Sequence, residues 1–181
     1  MTEAPLHVIH LNQDDPRKCT ARAMERRGHA ILYDHPRKAP KRGILLDPTS
    51  GTLQGPEDNS LLDQGGSIVA LDCSWKSLES ALGEISAHTR LGRRTLPVLL
   101  AANPVSWGKP CRLTTAEALC AAVIISGRWD QGRMIMQRFA FGNEFLSLNH
   151  HPLLAYSKAR SNAELAAIQW EFFDEPDSTY D

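Results

Sequence analysis

The stretch SIVALDCSWK (67–76) ends an apolar run with a carboxylate, Asp72, and sets an indole, Trp75, three positions further on. Ile68-Val69-Ala70-Leu71 reads as a buried strand, so Asp72 falls at a strand's carboxyl end, where open α/β sheets bind ligands. Asp72 has two readings at this level: a group that faces a ligand, or a cap on the next helix. Other pocket-suited residues occupy equivalent places. Asp47-Pro48 follows the run GILL, and Asn103, Pro104 and Gly108 stiffen the long loop of LPVLLAANPVSWGKP. Trp75 offers a flat face to a purine or, equally, a core side chain. Thr115 lies in the first turn of an apolar helix, whose unpaired N–H groups attract a carboxylate or phosphate. Thr20, inside a basic helix, adds a hydroxyl. A metal is not expected: the four cysteines show no CxxC spacing, and His150 and His151 are adjacent and point apart.

These side chains need elements to hold them. LHVIHL (6–11) reads as a first strand, followed by a helix over DDPRKCTARAMERRG with Asp15 as N-cap, Pro16 at its first position and Gly28 past its end. HAILY is a short apolar piece. GILLDPTSG (43–51) is a second strand running into a turn, and SIVALDCSW a third. Leu78, Leu82 and Ile85 recur at helical spacing in KSLESALGEISAHTR, and TLPVLLAANPVSWGKP (95–110) begins as a fourth strand and becomes a loop. Strands alternating with helices predict α/β with a mainly parallel sheet. The second half changes character. TTAEALCAAVIISG (114–127) opens with the capping box Thr114-x-x-Glu117, stops at Gly127 and is apolar nearly all round, so it is a buried helix. Helices near 130–141, 144–158 and 161–170 follow.

The net charge of −1 hides a segregation. Arg17, Lys18, Arg22, Arg26, Arg27, Arg37, Lys38, Lys41 and Arg42 crowd into 26 positions against only Glu25 and Asp34, while no base follows Arg160 in the acidic tail. Clustered bases of this kind gain by releasing counterions from phosphates, so the segment is expected to face RNA or DNA. A solvated charged face is the plainer alternative. At 181 residues the chain suits one domain, or two small ones sharing a core. No apolar run approaches the roughly 20 residues of a membrane span, and MTEAPLHVIHL lacks a signal-peptide pattern. Reduced thiols then point to the cytoplasm.

Taken together, DPRKCT, GILLDP, ALDCSWK, LPVLLAANPVSWGKPCRLTTAEALCAA and FAFGNEFLSLN resemble the small-subunit rRNA aminocarboxypropyltransferase family of ribosome-biogenesis enzymes, over about residues 6–170. With no long charged C-terminal extension, the chain is nearer to the archaeal members. The resemblance implies an N-terminal α/β domain (1–95), a SPOUT-like C-terminal domain with a trefoil knot (96–172) and an acidic tail (173–181). It implies transfer of the 3-amino-3-carboxypropyl group from S-adenosylmethionine to N3 of a (pseudo)uridine in small-subunit rRNA, leaving 5′-methylthioadenosine, by a monomer. The same scaffold also admits a methyltransferase, or an assembly factor that binds pre-rRNA without catalysis. By resemblance, Leu45, Pro48, Trp75, Leu96, Leu113 and Ala118 form the adenine pocket, with Leu46 equally apolar one step along from Leu45. Backbone groups of Leu96 and Cys111 read the adenine edge, the Leu71 carbonyl meets the ribose, and Thr20 with the Thr115 amide holds the carboxylate. RNA falls to Arg17, Lys18, Arg22, Arg26, Arg27, Lys41 and Arg42. Asp72 is then the catalytic carboxylate, as general base or as stabiliser of the sulfonium.

Overall fold

A computed structural model of the chain describes residues 1–11 and 19–176, Trp75 by its backbone alone. Five strands, β1 (Leu6–His10), β2 (Ile31–Tyr33), β3 (Arg42–Leu46), β4 (Ser67–Asp72) and β5 (Arg90–Arg94), pair in parallel in the order β2-β1-β4-β3-β5. Strand alternation sorts their side chains. Leu6, Val8, Ile44, Leu46, Ile68 and Ala70 join one buried cluster, and Ile9, Leu45 and Val69 join another. Helix α1 (Thr20–Arg26) reaches the first cluster through Ala21 and Met24; α2 (Asn59–Asp63) adds Leu62; α3 (Trp75–His88) reaches the second through Leu82 and Ile85. The chain therefore leaves β1 towards one face of the sheet and leaves the neighbouring β4 towards the other. Such a reversal opens a crevice at the strands' carboxyl ends, the usual ligand site of an open α/β sheet. Here the register sets His10 directly opposite Asp72.

Helix α4 (Thr115–Ile125) is buried at every residue from Ala116 to Ile125 except the half-buried Ala118. Each of its Leu, Ile and Val side chains contributes about 1.5–3 kcal/mol by leaving water. Around it pack α5 (Trp129–Met136), α6 (Gly142–Leu148), α7 (His150–Lys158) and α8 (Asn162–Ile168). Gly132 lets α5 lie close: a Cβ there would stand 2.5 Å from Ile124 Cγ1. The same buried cluster runs from the sheet through α4 to Phe145, Leu153, Tyr156 and Leu165. Among the described residues, no helix is long and apolar enough to cross a membrane.

Four expectations about the elements change. Helix α1 begins at Thr20 with an extended Cys19 before it; Asp15 and Pro16 lie outside the described residues. The helix expected through Arg90 ends at His88, and the polar segment Arg90–Arg94 becomes a strand. It can be polar because β5 is an edge strand, paired with β3 alone. The apolar run 96–100, expected as a strand, makes only isolated bridges at Thr95 and Leu100. Its backbone is satisfied by side chains instead: Val98 N–H donates to Gln169, Tyr156 donates to the Val98 carbonyl, and Asn149 bonds both the N–H and the C=O of Leu100. That same Asn149 breaks the helix expected over 144–158 into α6 and α7. The capping box at Thr114 and Glu117 forms as expected.

Candidate functional site

The crevice between β1 and β4 holds a chain of polar side chains. Asp72 Oδ2 lies 3.0 Å from His10 Nδ1 and accepts from the Cys19 thiol at 3.6 Å. Arg22, the third residue of α1, donates Nε–H to His10 Nε2 at 3.3 Å. His10 and Cys19 are buried, and 13% of the Asp72 side chain reaches solvent. Burial pushes the Cys19 thiol above its ordinary pKa, and the Asp72 charge adds to this, so Cys19 stays protonated and donates. The N-cap position of α3 is Ser74, two residues after Asp72.

Beside this crevice stands the N-terminus of α4. Thr20 and Thr115, 95 positions apart, come together here: Ala116 N–H donates to Thr20 Oγ1 at 3.2 Å. The Thr115 amide is in the helix's first turn, where N–H groups have no partner within the helix and carry the positive end of its dipole. Glu117 fixes the whole corner. Although fully buried, its carboxylate accepts from the amides of Ala102, Asn103 and Thr114 and from the Asn103 side chain, at 2.7–3.0 Å. The loop that ends at α4 is thereby tied to α4's own first turn. Within that loop Cys111 adopts φ +58°, a left-handed conformation uncommon for a residue with a side chain, while its N–H bonds the Leu99 carbonyl.

The expected adenine-pocket residues divide by sheet face. Leu96, Leu113 and Ala118 pack half-buried against the α4-side cluster, and Leu46 belongs to that cluster. Leu45 does not: alternation turns it to the α3 side among Ile9, Val69, Leu82 and Ile85. Of the two leucines, Leu46 is the one on the α4 face. Pro48 is exposed at the end of β3, and Leu71 precedes Asp72 on β4, its carbonyl at the carboxyl edge. Trp75 opens α3 at the same edge.

Asp47, the other strand-end carboxylate, serves the framework. Its side chain is wholly buried, accepting from the Thr49 amide and hydroxyl on one oxygen and from Arg93 on the other. Burial pushes its pKa up, but those three donors outweigh burial and hold it below the ordinary value. The basic segment is not one uniform face. Arg22 sits on His10; Arg26 is exposed; Arg27 lies over the Phe139 ring at 4.9 Å; Lys41 donates to the Arg37 carbonyl. Arg42, at the amino end of β3, makes two bonds to Gln64 at the opposite end of the sheet from the crevice. Arg17 and Lys18 lie outside the described residues. Sequence reasoning missed His10 and the buried role of Glu117. A histidine ending a buried strand was the available signal for His10, but its partner across the sheet follows only from the register.

Comparison with known proteins decides the family. The model for "Ribosome biogenesis protein, C-terminal" matches residues 44–173. The 16S rRNA aminocarboxypropyltransferase of Methanosarcina mazei is 41% identical over 92% of this chain and 94% of its own. Its namesake in Halobacterium salinarum is 38% identical over 93% and 96%. The chain belongs to this family. The solved structure of the SAM-dependent rRNA:acp-transferase Tsr3 from Vulcanisaeta distributa is 33% identical, with a TM-score of 0.77 over 94% of this chain and 89% of that one. A shorter match, to a "possible Fer4-like domain in RNase L inhibitor", spans residues 4–35. Cys19 is the one cysteine in that stretch, so it lacks the four thiolates an iron–sulfur cluster needs.

Proposed function

We propose that this protein transfers the 3-amino-3-carboxypropyl group of S-adenosylmethionine to N3 of a (pseudo)uridine in small-subunit rRNA during ribosome biogenesis, releasing 5′-methylthioadenosine. The observation that carries the reading is the convergence of Thr20, the α4 N-terminus and Asp72 at the switch crevice of a chain in the aminocarboxypropyltransferase family. The residues present fit the donor. Thr20 Oγ1 and the Thr115 amide hold its carboxylate; Leu46, Leu96, Leu113, Ala118, Pro48 and Trp75 take the adenine; Leu71 and Cys111 contribute backbone groups. The left-handed turn at Cys111 supports its role, since strain of this kind collects where a backbone group must be aimed.

A sulfonium offers three carbons to a nucleophile, so the pocket chooses the product by which one it exposes. Holding the carboxylate at α4 and the adenine behind the loop sets the γ-carbon of the transferred group towards the crevice. Asp72, held by His10 and Cys19, balances the sulfonium charge from within the sheet. A SPOUT-like knotted C-terminal part from about residue 96, an N-terminal part that meets rRNA, a monomeric state and a cytoplasmic location belong to the same proposal. The fastening of the 101–114 loop beneath α4 by Glu117 supports the first of these. Arg22 and Arg26, on α1 beside the crevice, are the bases best placed for the RNA; Arg42 is engaged elsewhere.

The test is product analysis with small-subunit rRNA from cells lacking the gene. Methylthioadenosine in the supernatant, and a nucleoside carrying label from the donor's carboxyl carbon, are the expected results. S-adenosylhomocysteine with methyl-labelled rRNA would replace this reading with a methyltransferase.

A further inference from the structure

We infer that His10 is the proton acceptor of the transfer, with Asp72 as the carboxylate that orients its ring; the inference rests on the function proposed above. The direction of the hydrogen-bond chain carries it. Arg22 can only donate, so the His10 nitrogen that it meets, Nε2, bears the lone pair, and Nδ1 bears the proton that Asp72 receives. This is the tautomer that a histidine–carboxylate general base requires. It also settles a second reading of the cluster. The ligand atoms of His10, Cys19 and Asp72 lie within 4.8 Å of one another, as a metal site would need. As the contacts stand, Asp72 Oδ2 is shared by His10 Nδ1 and the Cys19 thiol, so the three read as a hydrogen-bond clamp.

The clamp has room beside it. His10 and Arg22 line a cleft of about 350 Å³ with Glu25, Tyr33, Asp34 and Lys38. That volume is at the lower end for small-ligand sites and suits one nucleoside. A base entering this cleft meets the His10–Arg22 pair, with Asp72 behind the ring on the neighbouring strand β4.

With this acceptor the reaction balances. N3 of the uracil gives its proton to His10 Nε2, and the freed electron pair forms the bond to the γ-carbon. The carbon–sulfur pair stays on sulfur as a neutral thioether. The positive charge lost by the sulfonium reappears on the imidazolium, still against Asp72. Arg22, displaced from Nε2 by the N3 proton, is left near the uracil oxygens, where negative charge gathers as N3 is deprotonated.

The experiment uses the full chain, with single-turnover transfer to small-subunit rRNA from cells lacking the gene and calorimetry with S-adenosylmethionine. In His10→Asn the side-chain amide still donates to Asp72 from near the Nδ1 position but offers no basic nitrogen. Transfer should fall about 10²–10⁴-fold, the usual weight of a general base, with cofactor affinity within about threefold. Added imidazole should restore part of the rate to His10→Ala and none to His10→Asn. Near-normal transfer in His10→Asn would make His10 a holder of Asp72 only and overturn the inference, as would loss of cofactor binding in both variants. Loss of wild-type transfer on chelation would overturn the tautomer argument. Methyl transfer by the unaltered protein would sink the underlying function, and this inference with it, before any variant is made.

Discussion

Asp47 and Asp72 end two strands that lie side by side in one sheet, yet they do opposite work. Asp47 is wholly buried, and its partners are an arginine and a threonine's own turn, groups that stay as they are at any ordinary pH. Asp72 retains a little solvent contact, and its carboxylate meets a histidine ring and a thiol rather than a guanidinium. The first arrangement ties β3 to β5; the second lies where the chain departs to opposite faces of the sheet, the place proposed for the chemistry. A strand-end carboxylate is thus framework or chemistry according to what surrounds it.

The sharpest way to test this contrast is Asp72→Asn. Turnover should fall by roughly 10²–10⁴-fold, with the melting point little changed, because Asn keeps the size and one acceptor. Weakened S-adenosylmethionine binding alongside the lost turnover would point to sulfonium balance; preserved binding would point to the His10 partnership. Next in size is Glu117→Ala, which strands four donors around one buried position. At about 1 kcal/mol for each, stability should drop by about 3–4 kcal/mol in denaturant titrations, and cofactor affinity should fall with it as the loop loosens. Asp47→Ala should cost about 2–3 kcal/mol of stability, since Arg93 is left partly solvated rather than buried, while the rate per folded molecule holds.

Smaller effects separate the two sites further. Because Asp47 is held below its ordinary value of 3.8, its network stabilises fully above that pH and loses its contribution as the pH falls through the lower, folded value. Denaturant midpoints followed from about pH 7 to about pH 2 should lose this acid-dependent component in Asp47→Asn. The smallest change is expected from the bases. Reversing Arg26 should lower rRNA affinity several-fold and flatten its salt dependence, with cofactor binding unchanged, whereas Arg42→Gln should leave the salt slope nearly as it was. Equal slopes for the two variants would return the basic segment to a solvated surface.

Much of this was legible in order along the chain. The short continuous apolar runs marked β1, β3 and β4, and the Thr114–Glu117 pair marked the start of α4, because both signals are local. The signals failed where tertiary partners replaced local ones. Arg90–Arg94 looks nothing like a strand until β3 pairs with it, and the apolar 96–100 run looks like one until Asn149, Tyr156 and Gln169 take its backbone groups. Leu45 and Leu46 are indistinguishable by type, and only the pleat decides which faces α4.

By itself the sequence determined the composition of the site: an aspartate closing a buried strand, a threonine in the first turn of the apolar helix and another within the basic one, and the long motifs that carry the family likeness. Those are properties of residue type and spacing, and they survive without knowledge of neighbours. Tertiary structure decided which groups touch. It placed His10 opposite Asp72 through strand register, brought Thr20 across 95 positions to the head of α4, and directed Arg22 onto His10 Nε2. Contacts between residues far apart in the chain depend on the packing of the whole sheet, and no local pattern encodes them.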